Sequence, residues 1–265
     1  MPAGERLAAA IRAADPDRLP GLIPYVTAGF PRLDDTVAVL LAAQSAGCVA
    51  AEIGIPFSDP LADGPTVQRA GWQALRNGMT AGLALEQAAA ARAAGVSIPL
   101  VFMTYVNPVL SHGMDRFCAG AAAAGVDGLI VPDLPADEAG EARAAAHAHG
   151  LALIPLVAPT TPADRIDRAC RQATGFVYCV SVTGITGARK EIAAEAFDLL
   201  DRVAAATTLP RALGFGLSRH EHLVALRGRC EAVVVGSALL DAMFNRPDAA
   251  AVATEDFLRG MLAPA

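Results

Sequence analysis

Two acidic residues, Glu52 and Asp63, have the types and the spacing that acid–base chemistry requires. Glu52 lies inside the apolar run Val49–Ile55, where a carboxylate is costly to bury unless it is paired or used. Asp63 follows in the loop Pro56–Pro65, whose prolines stiffen the chain and whose Gly64 lets it turn. Two carboxylates that converge on one substrate could serve as its general acid and its general base.

Both residues also have plainer explanations. Glu52 could be paired with an inward-facing arginine or hydroxyl group, and Asp63, like Asp59, precedes a residue that favours turns. Side chains alternate between the two faces of a strand, so Glu52 shares a face with Gly54. If the apolar neighbours of Glu52 meet outer helices, Glu52 points into the mouth of a closed sheet.

The elements that must position these residues are eight apolar runs, which alternate with alanine-rich helical patterns. Strands buried on both faces appear as continuous apolar runs, and their alternation with helices predicts βαβ units in a parallel sheet. We therefore predict an α/β protein, a single (β/α)8 TIM barrel over residues 1–265, with an additional N-terminal helix and an enlarged loop region after the second strand. The runs are Leu22–Thr27, Val49–Ile55, Leu100–Tyr105, Gly128–Val131, Leu151–Val157, Phe176–Val182, Arg211–Gly214 and Ala232–Val235. Helices are predicted over Asp35–Ala46, Thr66–Arg76, Ala81–Ala94, Met114–Ala124, Ala136–His149 and Pro162–Ala173.

Composition and charge exclude several classes of protein. The 265 residues carry a formal net charge of −6 and show no basic patch, so nucleic acid is not an expected partner. No apolar run is long enough to cross a membrane, and Met1–Arg18 predicts an amphipathic helix instead of a signal peptide. The five cysteines are odd in number and form no CxxC pair, which indicates reduced thiols in a cytoplasmic protein.

Glycine-bearing loops follow the last three predicted strands. Gly216 follows the seventh strand, while Gly236 and Ser237 follow the eighth and open a helical pattern. Backbone N–H groups at such a helix start can hold an anion, and barrels of this type often bind phosphate there. After the sixth strand, Thr186 and Gly187 could close over the bound group. Ordinary tight turns are the alternative explanation for each glycine.

The segment EIGIPFSDPLADGPTVQ, which starts at Glu52, resembles the signature of the tryptophan synthase alpha chain family. The resemblance implies a TIM barrel that cleaves indole-3-glycerol phosphate in the retro-aldol sense to indole and glyceraldehyde 3-phosphate, with Glu52 and Asp63 as the catalytic residues. Other stretches are similar in order and spacing: IPYVTAGFP (Ile23–Pro31), MTYVNPVL (Met103–Leu110), VPDLP (Val131–Pro135), APTT (Ala158–Thr161), SVTGITG (Ser181–Gly187), GFGLS (Gly214–Ser218) and VVGSAL (Val234–Leu239).

The same resemblance implies the remaining site residues and the partner. The implied partner is a pyridoxal-phosphate-dependent beta subunit, which receives indole in an α2β2 complex, so the expected cofactor belongs to the partner and this chain needs none. The implied phosphate site is Gly187, Gly216, Gly236 and Ser237; the indole pocket is Tyr25, Tyr105 and Tyr178; the partner contacts are Pro56, Asp59 and Pro135.

The residue types argue against two common routes of aldol cleavage. A Schiff base needs a lysine in a dry pocket, and the one lysine, Lys190, lies in a polar loop. A metal route needs clustered ligands, whereas the close histidine pairs are spaced i,i+2 on predicted helices, so their side chains diverge. We therefore expect carboxylate chemistry: Asp63 accepts or stabilises the indole N–H proton, and Glu52, with a pKa raised by burial, protonates C3 and deprotonates the glycerol hydroxyl.

The loops Pro56–Pro65 and Val182–Ala193 are candidate lids that exclude water during the reaction. Two other functions are weighed against the alpha-subunit function. A free-standing indole-3-glycerol-phosphate lyase would share both carboxylates but would not respond to a partner. A non-catalytic phosphate-binding barrel would act only as an activator subunit, and an assay for indole release separates it from the enzymes.

Overall fold

The computed structural model describes residues 3–13, 19–181, 192–214 and 216–263. One parallel sheet contains all its strands, in the order β5-β4-β3-β2-β1-β9-β8-β7-β6. The strands are β1 (Gly21–Thr27), β2 (Ala51–Gly54), β3 (Leu100–Met103), β4 (Gly128–Ile130), β5 (Ala152–Leu153), β6 (Leu156–Val157), β7 (Val177–Val180), β8 (Arg211–Gly214) and β9 (Ala232–Val235). The helices are α1 (Ala3–Arg12), α2 (Asp35–Ser45), α3 (Pro65–Arg76), α4 (Ala81–Ala93), α5 (Val106–His112), α6 (Met114–Ala123), α7 (Gly140–Ala148), α8 (Ala163–Gln172), α9 (Ala194–Ala206), α10 (His220–Ala225), α11 (Ser237–Asn245) and α12 (Ala250–Leu262).

The sheet closes into a barrel through the segment between β5 and β6. The run Leu151–Val157 is two short strands and not the single strand predicted, because Pro155 has no N–H group to donate to a neighbouring strand. The backbone nevertheless contacts both neighbours there. The N–H of Ile154 donates to the carbonyl of Leu129 over 2.9 Å, and the carbonyl of Pro155 accepts from Tyr178 over 3.0 Å. The predicted TIM barrel is confirmed, with one of its eight strands split.

The additional N-terminal helix, also confirmed, is anchored across the base of the barrel. Leu7 and Ile11 of α1 are fully buried. Arg6 on the same helix forms an ion pair of 2.8 Å with Asp127, which precedes β4. Arg92 of α4 binds the other carboxylate oxygen of Asp127 over 2.9 Å, so this buried charge is balanced by two arginines.

The enlarged region after β2 holds the Pro-rich loop and two helices, as predicted. Helix α3 begins with Pro65, whose fixed φ suits the first helical position. Helix α4 is capped by Thr80, whose hydroxyl oxygen accepts from the N–H of Leu83 over 3.2 Å. Because the strands are parallel, this region and every other loop after a strand lie at one end of the barrel.

The structure corrects one predicted helix and adds one that was not predicted. Helix α7 begins at Gly140 and not at Ala136, because residues 131–138 form turns closed by Leu134 N–H to the Val131 carbonyl and Glu138 N–H to the Pro135 carbonyl. Helix α5, which sequence patterns did not indicate, follows Tyr105. In the described part of the chain, no helix has both the length and the apolar character needed to span a bilayer.

Candidate active site

A cavity of about 160 Å³ opens at the end of the barrel where the parallel strands terminate. It brings together most of the site residues predicted from the sequence, although they come from six different elements or loops. Its lining includes the predicted residues Tyr25, Glu52, Asp63, Tyr178, Gly216, Gly236 and Ser237. Thr186 and Gly187, the other two residues predicted at its phosphate end, lie outside the described residues.

Glu52 lies on β2 with its side chain directed into this cavity. It is 0% exposed, and neither carboxylate oxygen has a hydrogen-bond partner among the residues that the structure describes. Among the described residues, therefore, no arginine is paired with Glu52. Removal from water disfavours the charged carboxylate and raises the pKa of Glu52 to about 8. At neutral pH this side chain is a neutral acid that can give up a proton.

Asp63 reaches the same cavity from the loop after β2. The loop folds back through two turns, with the N–H of Leu61 donating to the Asp59 carbonyl over 3.0 Å and the N–H of Asp63 to the Pro60 carbonyl over 3.1 Å. Gln68 of α3 donates to the backbone carbonyl of Asp63 over 2.8 Å. In this loop, the backbone of Asp59 forms part of a turn, and Asp63 lines the cavity.

Tyr105 ties this loop to the barrel. Its hydroxyl oxygen accepts from the N–H of Ala62 over 2.9 Å, and the hydroxyl is also hydrogen-bonded to the carboxylate of Asp63. Burial raises the pKa of Asp63 to about 6, and the Tyr105 hydrogen bond opposes that shift. Tyr105 lines a small adjoining cavity that also contacts Asp63, and not the main cavity itself.

The other two tyrosines line the main cavity together with Glu52. Tyr25 pairs in register with Glu52 on the neighbouring strand, and Tyr178 lies on β7. Burial raises the pKa of both phenols well above the ordinary value, and the carboxylates of Glu52 and Asp63 add to the effect. Both tyrosines are therefore neutral apolar walls at physiological pH. All three tyrosines of the chain lie at this site.

Another part of the cavity lining comes from the loop after β8, from β9 and from the start of α11. Gly236 precedes α11 and Ser237 begins it, so the unpaired N–H groups of the first turn face the cavity. Gly216 has φ of +76°, a conformation that side chains other than glycine rarely adopt. The charge distribution of a helix start favours an anion here.

Several lining residues were not predicted from the sequence. Leu217 and Ser218 lie within the GFGLS stretch, so that motif could have predicted them as lining residues. Thr66 and Asp241 also line the cavity. Asp241 follows Ser237 by one helical turn, and i,i+4 spacing could have indicated a shared face.

The predicted partner-contact residues surround the same end of the barrel. Asp59 is exposed and Pro56 is partly buried in the loop after β2, while Pro135 is exposed in the loop after β4. Pro135 also borders a second cavity, of about 280 Å³, beside the split strand. Within the described ranges, no group of three or more histidine, cysteine or acidic side chains is placed to hold a metal ion.

Comparisons with known proteins agree on one family. A family model described as tryptophan synthase alpha chain matches residues 12–261. The tryptophan synthase alpha chain of Carboxydothermus hydrogenoformans is 48% identical over 224 residues, which cover 84% of each chain. That of Gluconacetobacter diazotrophicus is 45% identical over 255 residues, which cover 96% of this chain and 92% of the relative.

Solved structures show the same similarity. The tryptophan synthase complex from Pyrococcus furiosus contains a chain 39% identical to this one, with a TM-score of 0.86 and coverage of 92% of this chain and 98% of that chain. A structure of the α2β2 complex from the same organism, described in terms of mutual activation, gives 41% identity and a TM-score of 0.87 with the same coverage.

Proposed function

The chain belongs to the tryptophan synthase alpha chain family, whose members are lyases of indole-3-glycerol phosphate, and from that premise we propose that Glu52 and Asp63 catalyse the cleavage without a cofactor. One observation carries the proposal. A fully buried carboxyl group with no hydrogen-bond partner among the described residues shares a cavity with a second carboxylate and with the start of a helix.

The first step is protonation of the indole ring. Glu52, neutral because burial raises its pKa to about 8, donates its proton to C3 and becomes a carboxylate. The ring then carries the positive charge of an indolenine cation at its nitrogen, and the carboxylate of Asp63 stabilises it or accepts the N–H proton. This cation is the electron sink that an imine would otherwise supply.

The second step breaks the carbon–carbon bond. The Glu52 carboxylate removes the proton of the hydroxyl group on the carbon attached to C3, and that C–O bond becomes the aldehyde carbonyl. The electrons of the broken bond return to the ring and restore neutral indole, while any proton held by Asp63 returns to nitrogen. Glu52 is again protonated, so the cycle is balanced with glyceraldehyde 3-phosphate as the other product. Each assisted proton transfer contributes about 10²- to 10⁴-fold to the rate.

The phosphate group is assigned to the N–H groups at Gly236 and Ser237 and to the Gly216 turn. The indole ring then lies between Tyr25 and Tyr178, toward Glu52 and Asp63. The loop Pro56–Pro65 acts as a lid that carries Asp63, and Tyr105 holds it in place through the N–H of Ala62. Residues 182–191 of the other candidate lid, Val182–Ala193, lie outside the described residues. This placement puts the anion and the ring at opposite ends of one cavity.

We also propose that the chain acts with a beta subunit that holds pyridoxal phosphate and uses the released indole. The P. furiosus α2β2 complex described above supports this partner, and the loop residues Pro56, Asp59 and Pro135 lie together at the end of the barrel that it would cover. A free-standing lyase would show no change in its rate of indole release when a beta subunit is added.

The experiment is to incubate the purified chain with indole-3-glycerol phosphate, with and without a beta subunit, and to measure indole and glyceraldehyde 3-phosphate. Glu52→Gln and Asp63→Asn should each lose activity by at least about 10²-fold, while glycerol 3-phosphate still binds. The same exchanges at exposed Glu86 and Asp198 serve as controls. Near-normal turnover by Glu52→Gln contradicts the mechanism, and an effect of Asp63→Asn on affinity alone makes Asp63 a positioning residue.

A further inference from the structure

The phosphate end of the cavity contains a carboxylate that the proposed reaction does not use. Asp241 lies four residues after Ser237 on α11, and residues at this spacing share one face of a helix. Side chains of a helix also point toward its N-terminus. Asp241 accordingly lines the same cavity as Gly236 and Ser237, where a bound phosphate would meet its negative charge.

The charge balance of the cavity makes this carboxylate important. The described residues that line it include three acidic side chains, Glu52, Asp63 and Asp241, and neither lysine nor arginine. The chain as a whole has a net charge of −6, so no long-range attraction draws an anion toward this site. A phosphate dianion beside an unbalanced Asp241 would be repelled.

Two residues of α3 approach Asp241: Thr66, which also lines the cavity, and Arg69, which does not. The hydroxyl of Thr66 donates to Oδ1 of Asp241 over 3.4 Å, and Nη2 of Arg69 lies 4.0 Å from the same oxygen. The guanidinium group of Arg69 also stacks on the ring of Phe244, with Cζ 3.4 Å from the ring centroid. Asp241 and Phe244 both belong to α11, so Arg69 is held across the helix that carries the phosphate site.

We propose that Asp241 and Arg69 form a charge pair that sets the affinity of this cavity for the phosphate group. Asp241 opposes the bound dianion, and Arg69 offsets Asp241 from the far side without lining the cavity. Both are positioning residues, since neither reacts with the substrate. The inference rests on the proposed function, because it takes the start of α11 as the phosphate site.

The pair makes opposite predictions for its two members. Asp241→Asn should tighten the binding of inorganic phosphate and glycerol 3-phosphate by about 3- to 10-fold, and Arg69→Gln should weaken it by a similar factor, because the charges are half exposed and partly screened. In the Asp241→Asn background, Arg69→Gln should cost less than in the wild type. All effects should shrink between about 0.02 and 0.5 M salt.

The affinity is measured by isothermal titration calorimetry of the full chain with inorganic phosphate and, separately, with glycerol 3-phosphate. The wild type, both single variants and the double variant are compared. Arg246 and Asp256 form an exposed ion pair of 2.7 Å away from the cavity lining, so Arg246→Gln and Asp256→Asn match the changes in net charge. Arg69→Lys, which keeps the charge, should retain most of the wild-type affinity and covers the case in which Arg69→Gln folds poorly.

Three results overturn the inference. The first is that Asp241→Asn binds the phosphate ligands no more tightly than the wild type. The second is that Arg69→Gln lowers the affinity by the same factor in the wild-type and Asp241→Asn backgrounds. The third is that the control variants reproduce the effects. If the wild type releases indole while any of these holds, only the charge pair is refuted. If the wild type binds neither phosphate ligand and releases no indole, the proposed function fails with it.

Discussion

The hydroxyl of Tyr25 lies directly over Gly54, on the strand next to its own and two residues beyond Glu52. A Cβ atom at position 54 would overlap that hydroxyl and the adjoining ring carbons. The arrangement recurs across the barrel, where a Cβ at Gly214 would overlap the hydroxyl of Tyr178. In both cases the missing side chain makes room for a phenol that forms a wall of the cavity.

Gly54→Ala should therefore disturb the site more than its small size suggests. The new methyl group would displace the ring of Tyr25, which pairs in register with Glu52. We expect a loss of about 1–3 kcal/mol in the free energy of unfolding from overpacking. Indole release should fall by about 10²-fold, because reacting groups tolerate little misplacement. Gly140→Ala is the control, since a Cβ there meets nothing within 4 Å. Full activity and stability in Gly54→Ala would show that Tyr25 is free to move.

The pH dependence of cleavage should be bell-shaped. The reaction needs Asp63 as a carboxylate, and its pKa is about 6; it also needs Glu52 protonated, and its pKa is about 8. The value of kcat/KM should rise through about pH 6 and fall through about pH 8, as apparent values that belong to the pair. The alkaline limb is diagnostic, because the substrate phosphate is already fully ionised there. A flat profile from pH 7 to 9.5 would remove Glu52 as the acid.

Tyr105→Phe should weaken catalysis through Asp63. The variant loses the hydroxyl that accepts from Ala62 and that lowers the pKa of Asp63. Since hydrogen bonds to charged groups contribute about 1.5–3 kcal/mol, activity should fall by roughly 10- to 100-fold, and the acid limb of the profile should move to higher pH. Phe57→Leu controls for packing alone, because Phe57 lies in the Pro56–Pro65 loop and its ring contacts that of Tyr105. An unchanged acid limb would mean that Tyr105 only supports the loop.

The catalytic segment could be predicted from the sequence because its signal is local. Glu52 is a charged residue in a buried strand, and alternation along that strand places it opposite the apolar neighbours that pack outward. The same alternation predicted a shared face for Glu52 and Gly54. Which neighbour would fill the space above Gly54 depends on the register between β1 and β2, and that pairing joins residues far apart in the sequence.

The effect of each proline likewise could not be predicted from the local sequence. Pro24 lies inside β1 and pairs with Val235 without interrupting the strand, whereas Pro155 separates β5 from β6. Helix α5 also went unpredicted, although its Pro108 occupies the first turn, where a missing N–H group costs nothing. Proline alone does not decide these cases, because the outcome depends on which neighbouring strand or helix would have received the hydrogen bond.

Asp241 was missed for a related reason. On α11 it is an ordinary exposed acid, and only the approach of Thr66 and Arg69 from α3 reveals its setting. The contact joins residues separated by more than half of the chain. Sequence periodicity could place Asp241 on the same helix face as Ser237. It could not predict that Arg69 lies opposite Asp241.

Stability should fall as the pH rises through the range in which Glu52 ionises. The pKa of Glu52 is raised from 4.5 to about 8 in the folded protein, so between these values the native state holds a proton that the unfolded chain has released. The contribution is fully present below the unfolded pKa and is lost through about pH 8. The free energy of unfolding should drop by up to about 1.4 kcal/mol per pH unit.

Glu52→Gln should remove this slope, because an amide does not titrate. The test is urea unfolding of the wild type and the variant between pH 6.5 and 8.5, with Glu86→Gln on the exposed face of α4 as the matched exchange. The comparison concerns slopes and not absolute stabilities, since a buried amide has its own cost of desolvation. Equal slopes for wild type and Glu52→Gln would mean that Glu52 is charged in the folded protein.

Leu110 offers a test of where the beta subunit docks. It lies on α5, directly after the strand that leads to Tyr105, and its side chain is 53% exposed. Exposed apolar side chains at the end of the barrel that carries the site favour burial by a partner. Burying the exposed half of a leucine side chain contributes about 1–1.5 kcal/mol, so Leu110→Ser should weaken binding of the beta subunit by roughly 5- to 12-fold.

The control for Leu110→Ser is Val252→Ser on α12, where an apolar side chain is 50% exposed on a helix that does not line the cavity. Affinity is measured by titrating the beta subunit and following the rate of indole conversion to tryptophan, with the stability of each variant checked by urea unfolding. If Val252→Ser weakens the complex and Leu110→Ser does not, the partner covers another side of the barrel. Indole released from the cavity would then have to reach the partner through solvent.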